Sequence, residues 1–270
     1  MNIATDLLRT ARGTSCAWRA FGPKDGAPLL YLHGALGPVD DGDFLAQLAG
    51  LTGRRVLAPE LPGYGDSTGE ELLEDMLDFA LHGWDLADAL GAARPVLVGH
   101  GMGGMIAAEM AALCPDRPAA LVLVAPNGLW DDALPVPDLF ALLPHEFAEL
   151  LFADSATGAA RLTDGLDFTN MDALVEFFIS NSRRLGTAGK ILFPIPNRRL
   201  AKRLYRLRAP TLLVWGDDDR YIVPAYAARW QALVPHAQLA EVPAAGHMVP
   251  AERPGELATA LAAFLGAAGD

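Results

Sequence analysis

Three short stretches of this chain carry residues whose types and spacing can do chemistry. Gly99-His100-Gly101-Met102-Gly103-Gly104 follows an apolar run and leads into a helical pattern, and its glycines fit two frames at once. Gly99, Gly101 and Gly104 satisfy G-x-G-x-x-G, a dinucleotide-binding fingerprint. Gly99, Gly101 and Gly103 satisfy the nucleophile elbow G-x-S-x-G, with glycine standing where that motif has its serine. The other two stretches, Gly216-Asp217-Asp218-Asp219 and Gly246-His247, also follow apolar runs. A histidine and a carboxylate brought together from separate strand ends make a general base, the carboxylate fixing the tautomer and orientation of the ring.

The order of the segments decides between the two frames. A dinucleotide loop normally follows the first strand, with an acidic residue about 20 positions on at the end of the next strand. Here the loop follows a third or later strand, and the next apolar run ends in Val124-Ala125-Pro126-Asn127 without a carboxylate. No nucleotide cofactor is expected. The elbow requires nucleophile, acid and histidine in that chain order at different strand ends, which positions 101, 217–219 and 247 supply. A fourth strand end, His33-Gly34-Ala35-Leu36-Gly37, is a glycine-rich turn able to aim a backbone N–H into the same cleft.

These segments need a scaffold, and its pattern is legible. Apolar runs at Leu29–Leu32, Arg55–Ala58, Val96–Val98, Ala120–Val124, Thr211–Trp215 and Leu239–Val242 alternate with 3.6-residue apolar spacing over Glu70–Leu90, Met102–Leu113, Pro224–Leu233 and Pro254–Leu265. That alternation predicts a mostly parallel sheet with helices on both faces. From Gly128 to Leu207 no strand signal stands out; helices are predicted over Asp138–Phe152, Met171–Arg184 and Arg198–Arg208. Seven of the 11 phenylalanines lie in this insertion (Phe140, Phe147, Phe152, Phe168, Phe177, Phe178 and Phe193), more than three short helices need for a core of their own. Some of that aromatic surface is expected to face a ligand.

Composition excludes several function classes. With 33 acidic against 21 basic residues and a formal net charge of -12, the chain is a poor match for nucleic acid, whose binding rests on phosphate neutralisation. Cys16 and Cys114 are too few for a disulfide framework and have no metal-ligand spacing, so buried thiols in a reducing compartment are expected. No secretory leader pattern and no membrane-length apolar run stands out, which predicts a cytoplasmic protein with a small-molecule substrate, no membrane partner and no metal.

The stretches HGALG (33–37), ELPGYGDS (60–67), GHGMGG (99–104), GDDDRYIVP (216–224) and AGHMVP (245–250) together resemble the α/β-hydrolase superfamily over nearly the whole chain. The resemblance implies the α/β-hydrolase fold, with residues 1–127 and 208–270 as core and 128–207 as a helical cap. It implies His247 as general base and Asp219 as its carboxylate, with Asp131 as the fallback acid. It also implies the backbone amides of Ala35 and Met102 as an oxyanion hole. Two positions depart from the pattern. Glu60 replaces an aspartate, and Gly101 replaces the nucleophilic serine, so no acyl-enzyme can form at that position.

Three readings stay open. The first is a serine hydrolase of an ester, thioester, lactone or C–C bond in a moderately apolar carbonyl compound, its nucleophile lost. The second is a serine-independent enzyme using the His247–Asp219 dyad as base for water attack, lyase, isomerase or cyclase chemistry. The third is a pocket that only binds. The basic cluster Arg198, Arg199, Lys202, Arg203, Arg206 and Arg208 is read as a solvated helix face, with anion binding as the alternative.

Overall fold

The computed structural model describes residues 2–3, 7–143, 145–163, 166–167, 169–193, 195 and 199–268. Phe168 and Arg198 of the sequence reading lie outside the described residues. The strands among the described residues are β1 (Asn2–Ile3), β2 (Leu8–Arg9), β3 (Ser15–Cys16), β4 (Trp18–Phe21), β5 (Pro28–Leu32), β6 (Arg55–Pro59), β7 (Val96–His100), β8 (Ala120–Val124), β9 (Thr211–Gly216) and β10 (Gln238–Val242). Eight of them form one sheet in the order β1-β4-β6-β5-β7-β8-β9-β10. From β6 to β10 the pairing is parallel, while β1 and β4 add an antiparallel edge. β7 and β8 are buried at all five positions, as central strands covered on both faces must be.

The α-helices are α1 (Gly42–Thr52), α2 (Met76–Ala89), α3 (Met102–Leu113), α4 (Glu146–Leu151), α5 (Ser155–Leu162), α6 (Met171–Leu192), α7 (Tyr226–Leu233), α8 (Val249–Glu252) and α9 (Pro254–Ala268). On one face of the sheet, α1 presents Phe44, Leu45 and Leu48 to Leu257, Leu261 and Phe264 of α9. Each such buried side chain contributes on the order of 1.5–3 kcal/mol. The other face is covered by α2, α3 and α7, whose apolar residues merge with Phe147, Leu151, Ile191 and Leu192 of the segment between β8 and β9.

Several sequence expectations are corrected here. Glu70–Leu90 is a 3₁₀ turn at Glu70–Leu72 followed by α2, because Asp75 caps α2 by accepting from the Leu77 and Asp78 amides. Asp138–Phe152 is likewise a 3₁₀ turn plus the short α4. Met171–Arg184 runs two further turns to Leu192. The stretch expected as a helix over Arg198–Arg208 contains only the 3₁₀ turns Leu200–Lys202 and Leu204–Arg206 among its described residues. Its cations do not form a free anion-binding face. Arg203 pairs with buried Glu109 of α3, Arg206 donates to the Ala112 carbonyl, and Arg208 pairs with Asp116 at 3.0 Å. Arg203 fastens this segment to the middle of α3, and Arg206 to its C-terminal end, where carbonyls favour positive charge.

Register puts the chemistry at one edge. Leu32 pairs with Gly99, His100 with Val124, Val124 with Val214, and Gly216 with Val242. The turn after β5, the elbow after β7, the loop after β8 and the loops after β9 and β10 therefore leave the sheet side by side, at its carboxyl edge.

Candidate active site

The elbow is built from glycines because backbone passes too close for anything else. A Cβ on Gly103 would lie 2.1 Å from the Leu32 carbonyl oxygen, and one on Gly99 would lie 2.3 Å from that of Gly103. These contacts let α3 start against β5 and β7, which accounts for the glycine spacing without a nucleotide. Gly101 itself has φ 53° and ψ -115°, a left-handed conformation that L side chains adopt only under strain. Its N–H donates to the Val124 carbonyl at 2.9 Å, and its own carbonyl accepts from the Asn127 N–H at 3.0 Å.

Across from it stands His247, buried at 4% exposure. His247 Nδ1 donates to Asp219 Oδ2 at 2.9 Å, leaving Nε2 as the acceptor. Nε2 points at the elbow: a Cβ on Gly101 would sit 2.9 Å from it. Asp219 is buried too, and its second oxygen accepts the Tyr221 and Ile222 amides, both at 2.9 Å. With three donors on one carboxylate, Asp219 cannot turn without breaking its loop. The fallback acid, Asp131, is engaged elsewhere, pairing with Arg229 and accepting from the Ala133 amide.

Ala35 lies in the turn after β5, where Gly37 donates to the Gly34 carbonyl at 3.0 Å. The Ala35 carbonyl is fixed by the Tyr64 hydroxyl, which donates to it at 3.0 Å, and this sets the plane of that segment of backbone. Met102 is the first residue of α3, and a first-turn amide has no acceptor within its own helix. His33 holds the same turn from within. Its Nε2 accepts the Leu61 amide at 3.0 Å and its Nδ1 donates to the Gly34 carbonyl at 2.9 Å, while burial pushes its pKa down to about 4.

Sequence reasoning passed over three residues here. His100 precedes the elbow, and its Nε2 donates to the His247 carbonyl at 2.8 Å; burial, with His247 beside it, pushes its pKa down to about 3. A neutral ring thus anchors the histidine loop to the elbow. Tyr221 packs edge-on against the His247 ring, centroids 4.9 Å apart, and accepts from Asn127 Nδ2 at 3.1 Å. Glu252 bridges two loops: its carboxylate accepts the Gly246 and Ala153 amides, both at 2.8 Å, and the Met248 amide donates to the Leu151 carbonyl at 3.1 Å. The order GH-G and the aromatic after Asp219 were visible as letters, but nothing local marks a contact 147 residues away.

The pocket around these groups is small, about 10 Å³, lined by Ala35, Leu36, His100, Asn127, Tyr221 and His247, with Leu139 and Leu151 above. Beyond Leu36 opens a larger apolar cavity of about 430 Å³, walled by Phe147, Leu162, Leu174, Phe177 and Phe178. Arg184 of α6 stands at its edge and donates to the Leu36 carbonyl at 3.1 Å. Arg183 grips Glu70 with two bonds and Lys190 donates to the carbonyls of Glu70 and Leu73, so α6 is laced to the core by cations. No helix among the described residues is long and apolar enough to cross a membrane.

Comparison with known proteins meets this arrangement from outside. The chain is 31% identical over 262 residues, 94% of its length and 67% of the other's, to the dihydrolipoyllysine-residue acetyltransferase component of the acetoin cleaving system of Pseudomonas putida. It is 28% identical over 259 residues, 88% of this chain and 80% of the other, to an sn-1-specific diacylglycerol lipase of Mus musculus. A meta-cleavage product hydrolase of Pseudomonas fluorescens, solved as a serine-to-alanine mutant complexed with acetates, superposes with a TM-score of 0.77 at 20% identity, covering 99% of each chain. Homologues include lipases, esterases and C–C hydrolases. A family model described as the alpha/beta hydrolase family matches residues 29–260, from β5 through the elbow, Asp219 and His247 into α9, and the chain belongs to that family.

Proposed function

We propose that this protein hydrolyses a carbonyl compound with an apolar flank (an ester, thioester, lactone or activated C–C bond) by direct attack of water, with His247 as general base and Asp219 as its orienting carboxylate. The observation that carries this reading is the aim of His247. Its free Nε2 faces the place where the family's nucleophile would stand, 2.9 Å from a Cβ built on Gly101. With no hydroxyl there, the only oxygen His247 can activate is one that diffuses in. The amides of Ala35 and Met102 are the donors for the oxyanion that forms on attack, in a site dry enough for them to count. Residues 128–207 act as the cap, and the 430 Å³ cavity beneath α6 receives the apolar part of the substrate.

Losing a serine nucleophile can slow such a site about a millionfold, while oxyanion donors and binding alone still leave roughly 10³–10⁴ over water. A dyad that activates water recovers part of the difference. The test is turnover of p-nitrophenyl esters followed with mass spectrometry of the protein. Steady turnover without a burst or covalent adduct, and its loss in His247→Ala and Asp219→Asn, supports the reading. Substrate that binds and never turns over supports a binding-only protein.

A second reading has one observation in its favour. The backbone of Gly101, φ 53° and ψ -115°, keeps the strained turn that displays a serine, as expected of a serine hydrolase with its nucleophile removed.

A further inference from the structure

One buried polar atom near Gly101 has no partner among the described residues. Asn127, three residues past the end of β8, is 7% exposed. Its Nδ2 donates to Tyr221 Oη at 3.1 Å, and its backbone N–H holds the Gly101 carbonyl at 3.0 Å. Its Oδ1 is the atom left without a hydrogen bond. Leaving such an acceptor unpaired forfeits its solvation with nothing in return, so a buried orphan calls for a donor. The place that donor must occupy is defined by the missing side chain. A point where the Cβ of residue 101 would stand lies 2.9 Å from His247 Nε2 and 3.5 Å from Asn127 Oδ1. Both are acceptors, since Nδ1 of the one and Nδ2 of the other are already spent as donors. A water molecule can satisfy both, with one O–H for each. The adjoining pocket, about 10 Å³, is at the size that admits one.

We infer that Asn127 is a catalytic residue: with His247 it holds the attacking water at the position of the absent serine. The inference rests on the reading that water attacks directly. The water donates one hydrogen bond to His247 Nε2 and the other to Asn127 Oδ1, which turns a lone pair toward the carbonyl carbon held at Ala35 and Met102. On attack the O–C bond forms, the first proton passes to Nε2, and the carbonyl π electrons move to the oxygen held by the two amides. When the intermediate collapses, the bond to the leaving group breaks and the proton on Nε2 goes to that group. One water is consumed and His247 ends as it began. Asn127 Oδ1 never takes a proton; it removes the rotational freedom that an oxygen tethered through a Cβ would not have had.

Two measurements test this, and they separate it from the broader reading. In a crystal structure of the unliganded protein near 1.5 Å, an ordered oxygen is expected within about 3.2 Å of both Asn127 Oδ1 and His247 Nε2, a hydrogen-bond distance. An empty site, or an amide turned so that Nδ2 faces Gly101, overturns the inference whatever the activity. In p-nitrophenyl butyrate hydrolysis, Asn127→Leu should lower kcat by about 10²-fold with KM little changed. Asn127→Asp keeps an acceptor and should recover most of that loss, with the acid limb of its pH profile moved upward because the added carboxylate favours imidazolium at His247. If His247→Ala abolishes turnover and Asn127→Leu does not lower it, Asn127 has no such role although the dyad stands. If His247→Ala also leaves the rate unchanged, direct water attack itself fails. Should no p-nitrophenyl ester turn over, the crystallographic result decides alone.

Discussion

Gly101→Ser puts the missing hydroxyl back, and the structure gives reasons why it should not simply restore a serine hydrolase. Any side chain at this position carries the cost of φ 53° and ψ -115°, about 1–3 kcal/mol for a backbone so strained. The Cβ would then stand 2.9 Å from His247 Nε2, against 3.4 Å for ordinary contact, so the ring must retreat by about half an ångström. It has little room to do so. Asp219 holds Nδ1, Tyr221 lies against one side, and His100 ties down the loop carbonyl. Taking about 2 kcal/mol for the strain, and about 2–4 °C per kcal/mol for a domain of this size, the melting temperature should fall by about 4–8 °C. Gly101→Ala carries the same backbone cost without the hydroxyl and should melt close to the serine variant. Thermal melts, p-nitrophenyl butyrate hydrolysis and labelling by a fluorophosphonate probe make the assay. We expect both variants to be destabilised and both to turn over more slowly than the parent chain, because each fills the space proposed for the attacking water. A serine variant with an unchanged melting temperature, rapid labelling and an ester rate orders of magnitude above the parent would refute this reasoning and establish the second reading.

Three further outcomes follow from other parts of the molecule. Burial holds His33 and His82 down to about 4 and His100 to about 3, below the ordinary 6.5, so the unfolded chain takes up these protons first. Their contribution is complete above about pH 6.5 and lost as pH falls toward 4, at up to about 1.4 kcal/mol per pH unit for each histidine; urea melts that give the same stability at about pH 7 and pH 4.5 would contradict it. Arg203→Met leaves Glu109 buried without its cation and should cost about 2–3 kcal/mol in urea melts, less than a fully buried pair because Arg203 is 36% exposed. Adding Glu109→Leu should return most of that loss. Leu36→Ala removes the side chain between the 10 Å³ pocket and the 430 Å³ cavity, and should raise kcat/KM for long-chain p-nitrophenyl esters over short ones. An unchanged chain-length profile would mean the substrate enters elsewhere.

What the sequence could tell depended on how local each signal was. The strand Ala120–Val124 and the helix Met102–Leu113 were legible to the residue, one a continuous apolar run and the other opened by the elbow itself. Position 101, the acidic turn 217–219 and His247 could be placed because each ends or follows a strand, and the resemblance to the α/β-hydrolases picked Asp219 from that turn; the three lie together in the structure. The antiparallel edge was not legible. β4 is four residues long, and Trp18–Phe21 shows no alternation because three of its positions are only half buried. α1 was not predicted: Gly42, Gly50 and Gly53 weaken its helical signal, although Phe44, Leu45 and Leu48 keep helical spacing. Asn127 was read only as a place without a carboxylate. Its significance is a matter of which atom goes unpaired, which no spacing rule reports. In the basic stretch after Arg198, Lys202, Arg206 and Arg208 are exposed as expected, but the pairing of Arg203 could not be foreseen: Glu109, its partner, sits within an apolar helix 94 residues earlier.

Glu252 gives the segment between β8 and β9 a second meaning. Its two oxygens tie Gly246, next to His247, to Ala153, and the Met248 amide completes the stitch to Leu151. His247 therefore hangs between two anchorages, the end of β10 on one side and the chain at 151–153 on the other. The chain at 151–153 is thus a post on which the His247 loop is hung. Trimming that segment to admit larger substrates would then yield a slack histidine rather than an open door. A graft meant to change selectivity must carry the 151–153 backbone and its glutamate along.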